Sequence, residues 1–279
     1  MNDPSQPFRS GAHDHNRRAW DQRARNQQRF TRPADDDAVA NPLSKVDVAW
    51  FGDLRGKRML CLGAGGGRQS ALYAAAGAQV TVVDISGEQL ALDREVARER
   101  GLDIRAVEAS IDDLAALADA SFDMVMQPVS SCYVPDVTIV YREVARVIVS
   151  GGIYVSQHKQ PTSLQAEITP ATQGYEVTEP YYRTGPLPPV RGSLHREEGT
   201  LEFLHRWEEL IGGICHAGFV VEDLSEPRHT KPDADRGSFA HRSQFIAPYV
   251  RIKARRVGAP GAVKPSEGST SSRVWIPGA

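Results

Sequence analysis

Residues 59–67 read Met-Leu-Cys-Leu-Gly-Ala-Gly-Gly-Gly, and 17 residues after Gly67 the apolar run Val80-Thr81-Val82-Val83 ends in Asp84. This order predicts a strand, a glycine-rich turn, a helix and a second strand that ends in an acid. Glycine allows the backbone of the turn to take positive φ and to approach a ligand closely. The stretch therefore predicts the first β-α-β unit of an α/β domain.

The same stretch has the layout of a site for an adenosyl ligand. A helix that starts after the turn offers free N–H groups, and a carboxylate at the end of the second strand accepts hydrogen bonds from ribose hydroxyls. The dinucleotide fingerprint G-x-G-x-x-G requires glycine at position 68, where this chain has Arg68. We therefore expect an adenosyl ligand without pyrophosphate, and a dinucleotide-dependent oxidoreductase is the less favoured alternative.

Composition limits the classes of function. The chain has 279 residues, 41% of them hydrophobic, and a formal net charge of −2, which argues against a nucleic-acid partner. No stretch approaches the ~20 apolar residues of a membrane span, and the polar start at residues 1–4 is no signal peptide. Three scattered cysteines, Cys61, Cys132 and Cys215, form no metal-ligand spacing and no even disulfide set. We expect a cytoplasmic protein without a metal, and the sequence carries no signal for its oligomeric state.

Apolar runs separated by helical spacers continue along the chain. The predicted strands are 58–62, 79–84, 103–108, 122–127 and 152–158. Before the last of these, the aliphatic residues at 137, 140, 144, 147 and 148 form one helical stripe, which Gly151-Gly152 closes. The alternation predicts a doubly wound, Rossmann-like α/β sheet with helices on both faces.

The predicted strands turn polar or glycine-rich at their carboxyl ends. Gly63 follows the first strand, Asp84 ends the second, Gln127 ends the fourth, and Gln157-His158-Lys159 end the fifth. Ligands in open α/β sheets bind just outside these ends. The sequence therefore predicts the ligand site at this edge of the sheet.

The remaining segments set the expected organisation. Residues 1–15 are predicted to be disordered, 16–257 to form one domain that begins with a helix, and 258–279 to be a disordered tail. Residues 159–200 hold six of the 18 prolines and are predicted to be an inserted lid or acceptor segment. Regular structure is predicted to resume with a helix that carries Leu201, Leu204, Trp207, Ile211 and Ile214, followed by strands over 219–224 and 244–252.

Four further stretches carry a family resemblance. They are Ala19-Trp20-Asp21, Ser121-Phe122-Asp123-Met124-Val125, the run from Arg142 to Gly152, and Ala217-Gly218-Phe219 with Glu226-Pro227. With the glycine turn, they make residues 16–255 resemble the class I S-adenosylmethionine (SAM)-dependent methyltransferases, specifically a small-molecule branch similar to ubiquinone-biosynthesis enzymes. The resemblance implies a seven-stranded sheet with an antiparallel last strand, formed by the hairpin of 219–224 and 244–252.

The resemblance also implies SAM as cofactor and a set of residues that would bind it. Gly63, Ala64, Gly65 and Gly67 would pack on the methionine and ribose, Asp84 would bind the ribose, Ile85 would cover adenine, Ser110, Ile111 and Asp112 would reach the adenine edge, and Gln127, Pro128 and Val129 would line the sulfonium end. The chain departs from the family at two positions. Many relatives have aspartate where Ser110 stands, and the usual acid before the first glycine is replaced by Cys61.

The methyl acceptor is expected to be a small molecule. His158 is the candidate general base, because it ends a strand at the ligand edge and an imidazole titrates near pH 6.5; the alternative is a histidine bonded to the loop backbone. Tyr133 either orients the acceptor or packs. The residues expected to bind the acceptor are Tyr175, Tyr181, Tyr182 and Arg183. A non-catalytic SAM-binding regulator is the alternative function.

Overall fold

Seven strands form one sheet in the computed structural model, which describes residues 6–258. They are β1 (Arg58–Leu62), β2 (Gln79–Asp84), β3 (Ile104–Glu108), β4 (Phe122–Gln127), β5 (Ile148–Lys159), β6 (Phe219–Ser225) and β7 (Tyr249–Arg256). Their order across the sheet is β3-β2-β1-β4-β5-β7-β6. Pairs among β1 to β5 are parallel, whereas β7 is antiparallel to both β5 and β6. The predicted seven-stranded sheet with an antiparallel last strand is confirmed.

Helices cover both faces of this sheet. They are α1 (Gln6–Arg25), α2 (Asp36–Ala40), α3 (Val48–Phe51), α4 (Gln69–Ala75), α5 (Gly87–Arg100), α6 (Val137–Val147), α7 (Pro161–Gln165), α8 (Gly213–His216) and α9 (Phe239–Arg242). Short 3₁₀ turns lie at Pro42–Ser44 and Ser131–Tyr133, and a π-helical segment, Glu208–Gly212, leads into α8. No helix in the described part of the chain is long and apolar enough to cross a membrane.

The two faces of β1 belong to different halves of the core. Leu60 and Leu62 pack with the valines of α6, while Met59 and Cys61 pack with residues of α4 and β2. These four side chains are fully buried, because a parallel strand covered on both faces has no solvent side. This double cover fixes the carboxyl end of β1, and therefore the glycine turn that follows it.

The N-terminal segment differs from the prediction. Residues 6–15 are helical rather than disordered, because α1 packs along the domain: the ring of Phe8 meets Phe203 edge-on at 6.1 Å between centroids, and His15 Nε2 lies 2.9 Å from the carbonyl oxygen of Gly199. Residues 1–5 and 259–279 lie outside the described residues, and with them nearly all of the predicted tail.

Three predicted element boundaries are also wrong. Gly151-Gly152 does not close α6; it lies in β5, where the register with β4 shifts. The helix predicted from Leu201 begins only at Trp207, because residues 201–206 have no regular secondary structure and the Phe203 amide donates to the carbonyl of Cys132 at 2.7 Å. The last strand starts at Tyr249 rather than at 244.

Candidate active site

A cavity of about 370 Å³ lies at the carboxyl ends of β1, β2, β4 and β5, beneath α1. Its lining comes from distant parts of the chain: His13, Asn16, Trp20, Arg29, Phe30, Gly63, Ala64, Gly65, Gln69, Asp84, Ile85, Gln89, Ser110, Ile111, Pro128, Val129, Ser130, Tyr133, Val134, Gln157, Lys159, Glu197, His229 and Tyr249. The cavity therefore lies at the edge of the sheet that the sequence indicated.

The glycine turn forms one wall. Gly63 has φ +60°, and a Cβ placed there would lie 2.7 Å from the Cβ of Ser130. A Cβ on Gly65 would lie 2.7 Å from the Cβ of Gln89. The backbone of the turn therefore lies so close to its neighbours that a side chain at Gly63 or Gly65 would clash with them. Gly67 was expected at the ligand but is absent from the lining; its Cβ would meet the carbonyl of Leu92 at 3.0 Å, so this glycine permits packing on α5.

Asp84 reaches the cavity with its carboxylate already anchored. Its Oδ2 accepts the Gly65 amide at 2.8 Å, and its Oδ1 accepts the Ser86 amide at 3.0 Å. Burial raises the pKa of Asp84, and these two hydrogen bonds oppose that rise. Each carboxylate oxygen keeps a lone pair for a ligand hydroxyl.

Of the residues expected to contact adenine, some line the cavity and one supports them from behind. Ile85, Ser110 and Ile111 line the cavity. Asp112 does not; it accepts a hydrogen bond from the Ser110 hydroxyl at 2.5 Å and pairs with His13 Nε2 at 3.0 Å. Burial opposes ionisation of this carboxyl group, but these two partners hold its pKa below the usual range. Asp112 therefore orients Ser110 and His13 rather than facing the ligand.

The residues expected at the sulfonium end also separate into those that line the cavity and one that supports them. Pro128 and Val129 line the cavity. Gln127 does not, because its side chain is buried, donates to the Ser130 hydroxyl at 3.0 Å and accepts the hydroxyl of Tyr154. The expected contact of Gln127 with the sulfonium end is replaced by a supporting role beneath Ser130.

His158 is not placed to act as a general base at the cavity. It is fully buried outside the lining, with Nδ1 at 2.7 Å from the hydroxyl of Ser131 and Nε2 at 2.8 Å from that of Ser156. Burial lowers its pKa to about 3, and His205 adds to the effect. Side chains alternate along a strand, so His158 points away from the face that Gln157 and Lys159 share. Its partners are hydroxyl groups rather than the loop backbone.

Lys159 and Tyr133 meet at a buried carboxylate in the cavity wall. Glu197 Oε2 accepts the Tyr133 hydroxyl at 2.7 Å and Lys159 Nζ at 2.6 Å, and Lys159 also pairs with Glu202 at 2.5 Å. Burial opposes the ionisation of Glu197, but Lys159 holds its pKa at about 2. Sequence reasoning placed Lys159 at the strand end but missed Glu197, which has no local motif.

The residues expected to bind the acceptor lie elsewhere. Tyr175 bonds His241 Nδ1 at 2.8 Å, and Arg183 pairs with Glu179 at 2.8 Å. The Tyr181 hydroxyl accepts the amide of Trp207 at 3.2 Å, and Tyr182 is 77% exposed. None of the four lines the cavity. The first part of the 159–200 segment packs instead around Arg242, which donates to the carbonyls of Ser163, Ala166 and Glu167.

Cys132 and His195, two further residues of reactive types, have structural roles. Burial raises the pKa of the Cys132 thiol, so this cysteine remains a neutral core residue. The ring of His195 stacks on Phe239 with centroids 4.8 Å apart. No group of three or more metal-ligating side chains occurs between residues 6 and 258.

Helix α1 forms the cover of the cavity. Asn16 is buried, and its amide donates to the carbonyls of Tyr133 at 2.9 Å and Leu201 at 3.0 Å, while its oxygen accepts the Leu201 amide at 2.7 Å. Trp20 meets the ring of Tyr133 edge-on at 5.3 Å between centroids. The helix is thus joined to both the 3₁₀ turn after β4 and the segment after Glu197.

Replacing Asn16 by alanine is expected to lower the free energy of unfolding by about 2–3 kcal/mol, because buried backbone groups lose their partners. Chemical denaturation checks this, with Asn26→Ala as a matched control, since Asn26 is exposed and bonds Gln22 within the N-terminal segment. Equal stability of the two variants would show that Asn16 does not join the cover to the domain.

Comparisons with known proteins show which family this chain resembles. Residues 60–156 match the model of a methyltransferase domain. The chain is 32% identical over 259 residues to the uncharacterized methyltransferase YbaJ of Bacillus subtilis, covering 87% of this chain and 98% of that protein. It is 31% identical over 186 residues to a ubiquinone biosynthesis O-methyltransferase of Xanthomonas euvesicatoria, covering 66% of this chain and 72% of that protein. A solved SAM-dependent methyltransferase from Mesorhizobium loti superposes with a TM-score of 0.59 at 22% identity, covering 79% of this chain and 99% of that one.

The fold and the site define an α/β protein with an adenosyl-ligand cavity at the strand ends. The chain belongs to the class I SAM-dependent methyltransferases, and it is an enzyme whose cofactor is SAM. The cavity fits the cofactor, because the side-chain-free cradle at Gly63 and Gly65 leaves space beside the Asp84 carboxylate. When bound, SAM supplies an already activated methyl group.

Replacing Asp84 by alanine is expected to weaken SAM binding by about 2–3 kcal/mol, roughly 30- to 150-fold in the dissociation constant, because charge-assisted bonds to the ribose are lost. Calorimetry checks this, with Asp103→Ala as the control, since Asp103 is exposed and precedes β3 at the opposite edge of the sheet. Unchanged affinity in folded Asp84→Ala would mean that the ribose is bound elsewhere.

Proposed function

We propose that this enzyme transfers the methyl group of SAM to a small organic acceptor that enters the cavity beneath α1. The observation that carries the proposal is the cover itself: Asn16 and Trp20 of α1 close over the strand ends, and Glu197 closes the cavity from the other side. A covered cavity admits a small molecule more readily than a chain segment of a protein or nucleic acid. The Xanthomonas relative, named for ubiquinone biosynthesis, supports a small-molecule acceptor.

The part of the cavity away from Asp84 is suited to an acceptor with a hydrogen-bond donor. Aromatic rings of Trp20, Tyr133 and Tyr249 contribute to its wall, and such rings combine apolar contact with polar edges. Glu197 Oε2 is occupied by Tyr133 and Lys159, which leaves Oε1 for a hydroxyl or amine hydrogen of the acceptor. The charge of Lys159 holds this carboxylate in place.

The proposed reaction is an in-line displacement. The acceptor atom forms a bond to the methyl carbon while the carbon–sulfur bond breaks, and the bonding electrons remain on sulfur. Alignment of acceptor and methyl group is the main contribution of the chain, and positioning supplies on the order of 7–11 kcal/mol in favourable cases. This mechanism agrees with a site in which His158 is remote from the cavity.

Methyl transfer from labelled SAM to a cell extract tests the proposal. The extract is first separated by ultrafiltration into a small-molecule filtrate and a fraction that retains protein and nucleic acid. We expect label to enter products of the filtrate, and Asp84→Ala to reduce this transfer while Asp103→Ala does not. Label confined to the macromolecular fraction would contradict the small-molecule acceptor, and SAM binding without transfer to either fraction would favour a regulatory protein.

A further inference from the structure

A second carboxylate lies beneath the glycine turn and takes no part in the proposed methyl transfer. Asp93 of α5 is fully buried. Its Oδ2 accepts the amide of Gly66 at 2.9 Å, and its Oδ1 accepts the hydroxyl of Ser70 at the start of α4. Among residues 6–258, no lysine, arginine or histidine nitrogen lies within 4.0 Å of this carboxylate. Asp93 therefore joins the turn, α4 and α5 without a cation to balance its charge.

The backbone of the glycine turn is held by the protein. Its amides donate to protein acceptors: Gly63 and Ala64 to the carbonyl of Val83 at 2.8 and 3.4 Å, Gly65 to Asp84 at 2.8 Å, and Gly66 to Asp93 at 2.9 Å. The expectation that this turn offers free N–H groups is wrong for these four residues. Two successive amides are thus fixed by two carboxylates, one from β2 and one from α5.

The contact of Asp93 with Gly66 sets the position of a cavity wall. Gly65 lines the cavity, and a Cβ on it would lie 2.9 Å from Oδ2 of Asp84. A small shift of the turn therefore changes the space for a ribose beside Asp84. Before the turn, β1 carries Cys61 instead of an acid, and Asp93 is close enough to raise the pKa of this thiol beyond the effect of burial. The carboxylate beneath the turn thus comes from α5 rather than from β1.

The charge of Asp93 changes near neutral pH. Burial raises its pKa to about 7 and the charge of Asp84 adds to this rise, while hydrogen bonds from Ser70 and Gly66 oppose it. The ionisable groups that interact with Asp93 from the neighbouring strands are Asp84 of β2 and the neutral thiol of Cys61 of β1. An ionised carboxylate only accepts hydrogen bonds, whereas the protonated form also donates one. Protonation therefore disturbs a site in which both neighbours are donors.

We propose that Asp93 is a positioning residue whose ionised carboxylate holds the glycine turn in the form that binds SAM. Asp93 is absent from the cavity lining, so it acts through the turn. Hydrogen bonds to a charged acceptor are about twice as strong as neutral ones, and loss of the charge loosens the contact with Gly66. SAM affinity consequently falls as the pH falls through 7. The assignment rests on SAM occupying this cavity and is independent of the methyl acceptor.

Calorimetric titration with SAM at pH 6 and at pH 8 tests the assignment. The wild type is expected to bind SAM about 3- to 10-fold more weakly at pH 6 than at pH 8. Asp93→Asn, which cannot ionise, is expected to bind about 3- to 10-fold more weakly than the wild type at pH 8 and to lose most of this pH dependence. Glu95→Gln is the matched control and is expected to follow the wild type, because Glu95 is an exposed carboxylate on the same helix.

A second variant distinguishes control by charge from a structural role of the side chain. Ser70→Ala removes a hydrogen bond that favours the ionised form of Asp93, so the midpoint of the affinity profile is expected to move to higher pH. The free energy of unfolding at pH 8 checks the fold of each variant. For Asp93→Asn it is expected to be no lower than for the wild type, because a carboxylate buried without a cation costs free energy.

Three outcomes overturn the assignment while leaving the proposed function intact. Equal SAM affinity of the wild type at both pH values, or wild-type pH dependence in Asp93→Asn, would show that ionisation of Asp93 does not control the turn. Equal losses in Asp93→Asn at both pH values would show that the side chain acts through packing. Failure of the wild type to bind SAM at all would overturn both this assignment and the proposed function.

Discussion

Replacing Lys159 by methionine is expected to lower the free energy of unfolding by about 3–5 kcal/mol, because it removes the cation from two buried carboxylates. Lys159 Nζ lies 2.6 Å from Glu197 and 2.5 Å from Glu202, and all three side chains are at most 8% exposed. Methionine retains most of the side-chain volume, so the loss is electrostatic rather than steric. Denaturant titration near neutral pH measures it.

A charge-balanced variant separates this cause from packing. In Lys159→Met/Glu197→Gln, the remaining carboxylate of Glu202 still pairs with Arg196, and part of the lost stability is expected to return. Lys57→Met is the control for replacing an exposed lysine. If the double variant is less stable than the single one, the deficit comes from packing and hydrogen bonding rather than from an unbalanced charge.

The second large effect is acid destabilisation through His158. Its pKa lies at about 3 in the folded protein, against 6.5 for an ordinary histidine. Between these values the unfolded chain binds a proton that the folded chain does not, so stability falls as the pH falls below 6.5. At about 1.4 kcal/mol per pKa unit, the loss is on the order of 4 kcal/mol by pH 3.

Unfolding free energies of the wild type and His158→Gln, measured across this pH range, isolate the contribution of His158. The variant is expected to lose less stability between pH 6.5 and pH 3 than the wild type, whatever its stability at neutral pH. His216→Gln, at an exposed histidine, is expected to follow the wild-type slope. Parallel curves for the wild type and His158→Gln would show that His158 is protonated in the folded protein.

Many of the residues at the cofactor end of the cavity can be predicted from local sequence. Gly63, Gly65 and Asp84 lie where the strand–turn–strand pattern places them, because the carboxyl ends of adjacent parallel strands meet at one edge. Ile85, Ser110, Ile111, Pro128 and Val129 also reach the lining as the resemblance implies. Gly67, Asp112 and Gln127 lie within two residues of lining residues in the sequence but contact neighbouring elements instead. Their roles as ligand contacts remain unsupported for this reason.

The residues of the proposed acceptor side were largely not predicted from the sequence, for a different physical reason. Glu197, His229 and Tyr249 come from segments far apart in the chain, and no spacing connects them. Tyr175, Tyr181 and Tyr182 looked suitable by composition, but Tyr175 packs on His241 and Phe245. The Tyr181 hydroxyl accepts the backbone amide of Trp207, and Tyr182 is exposed. Composition identifies side chains that suit a binding site, while long-range packing decides where they lie.

The sequence by itself determined the positions of the parallel strands along the chain, the glycine turn and the acid at the end of β2, because hydrophobic periodicity and backbone freedom act over a few residues. Only the tertiary structure decided which side chains at the strand ends face the cavity. His158 and Lys159 are neighbours, yet one bonds two buried serines and the other meets Glu197. Alternation along β5 places their side chains on opposite faces of the sheet, and the cover formed by α1 and the segment around Glu197 makes one of those faces a wall of the candidate active site.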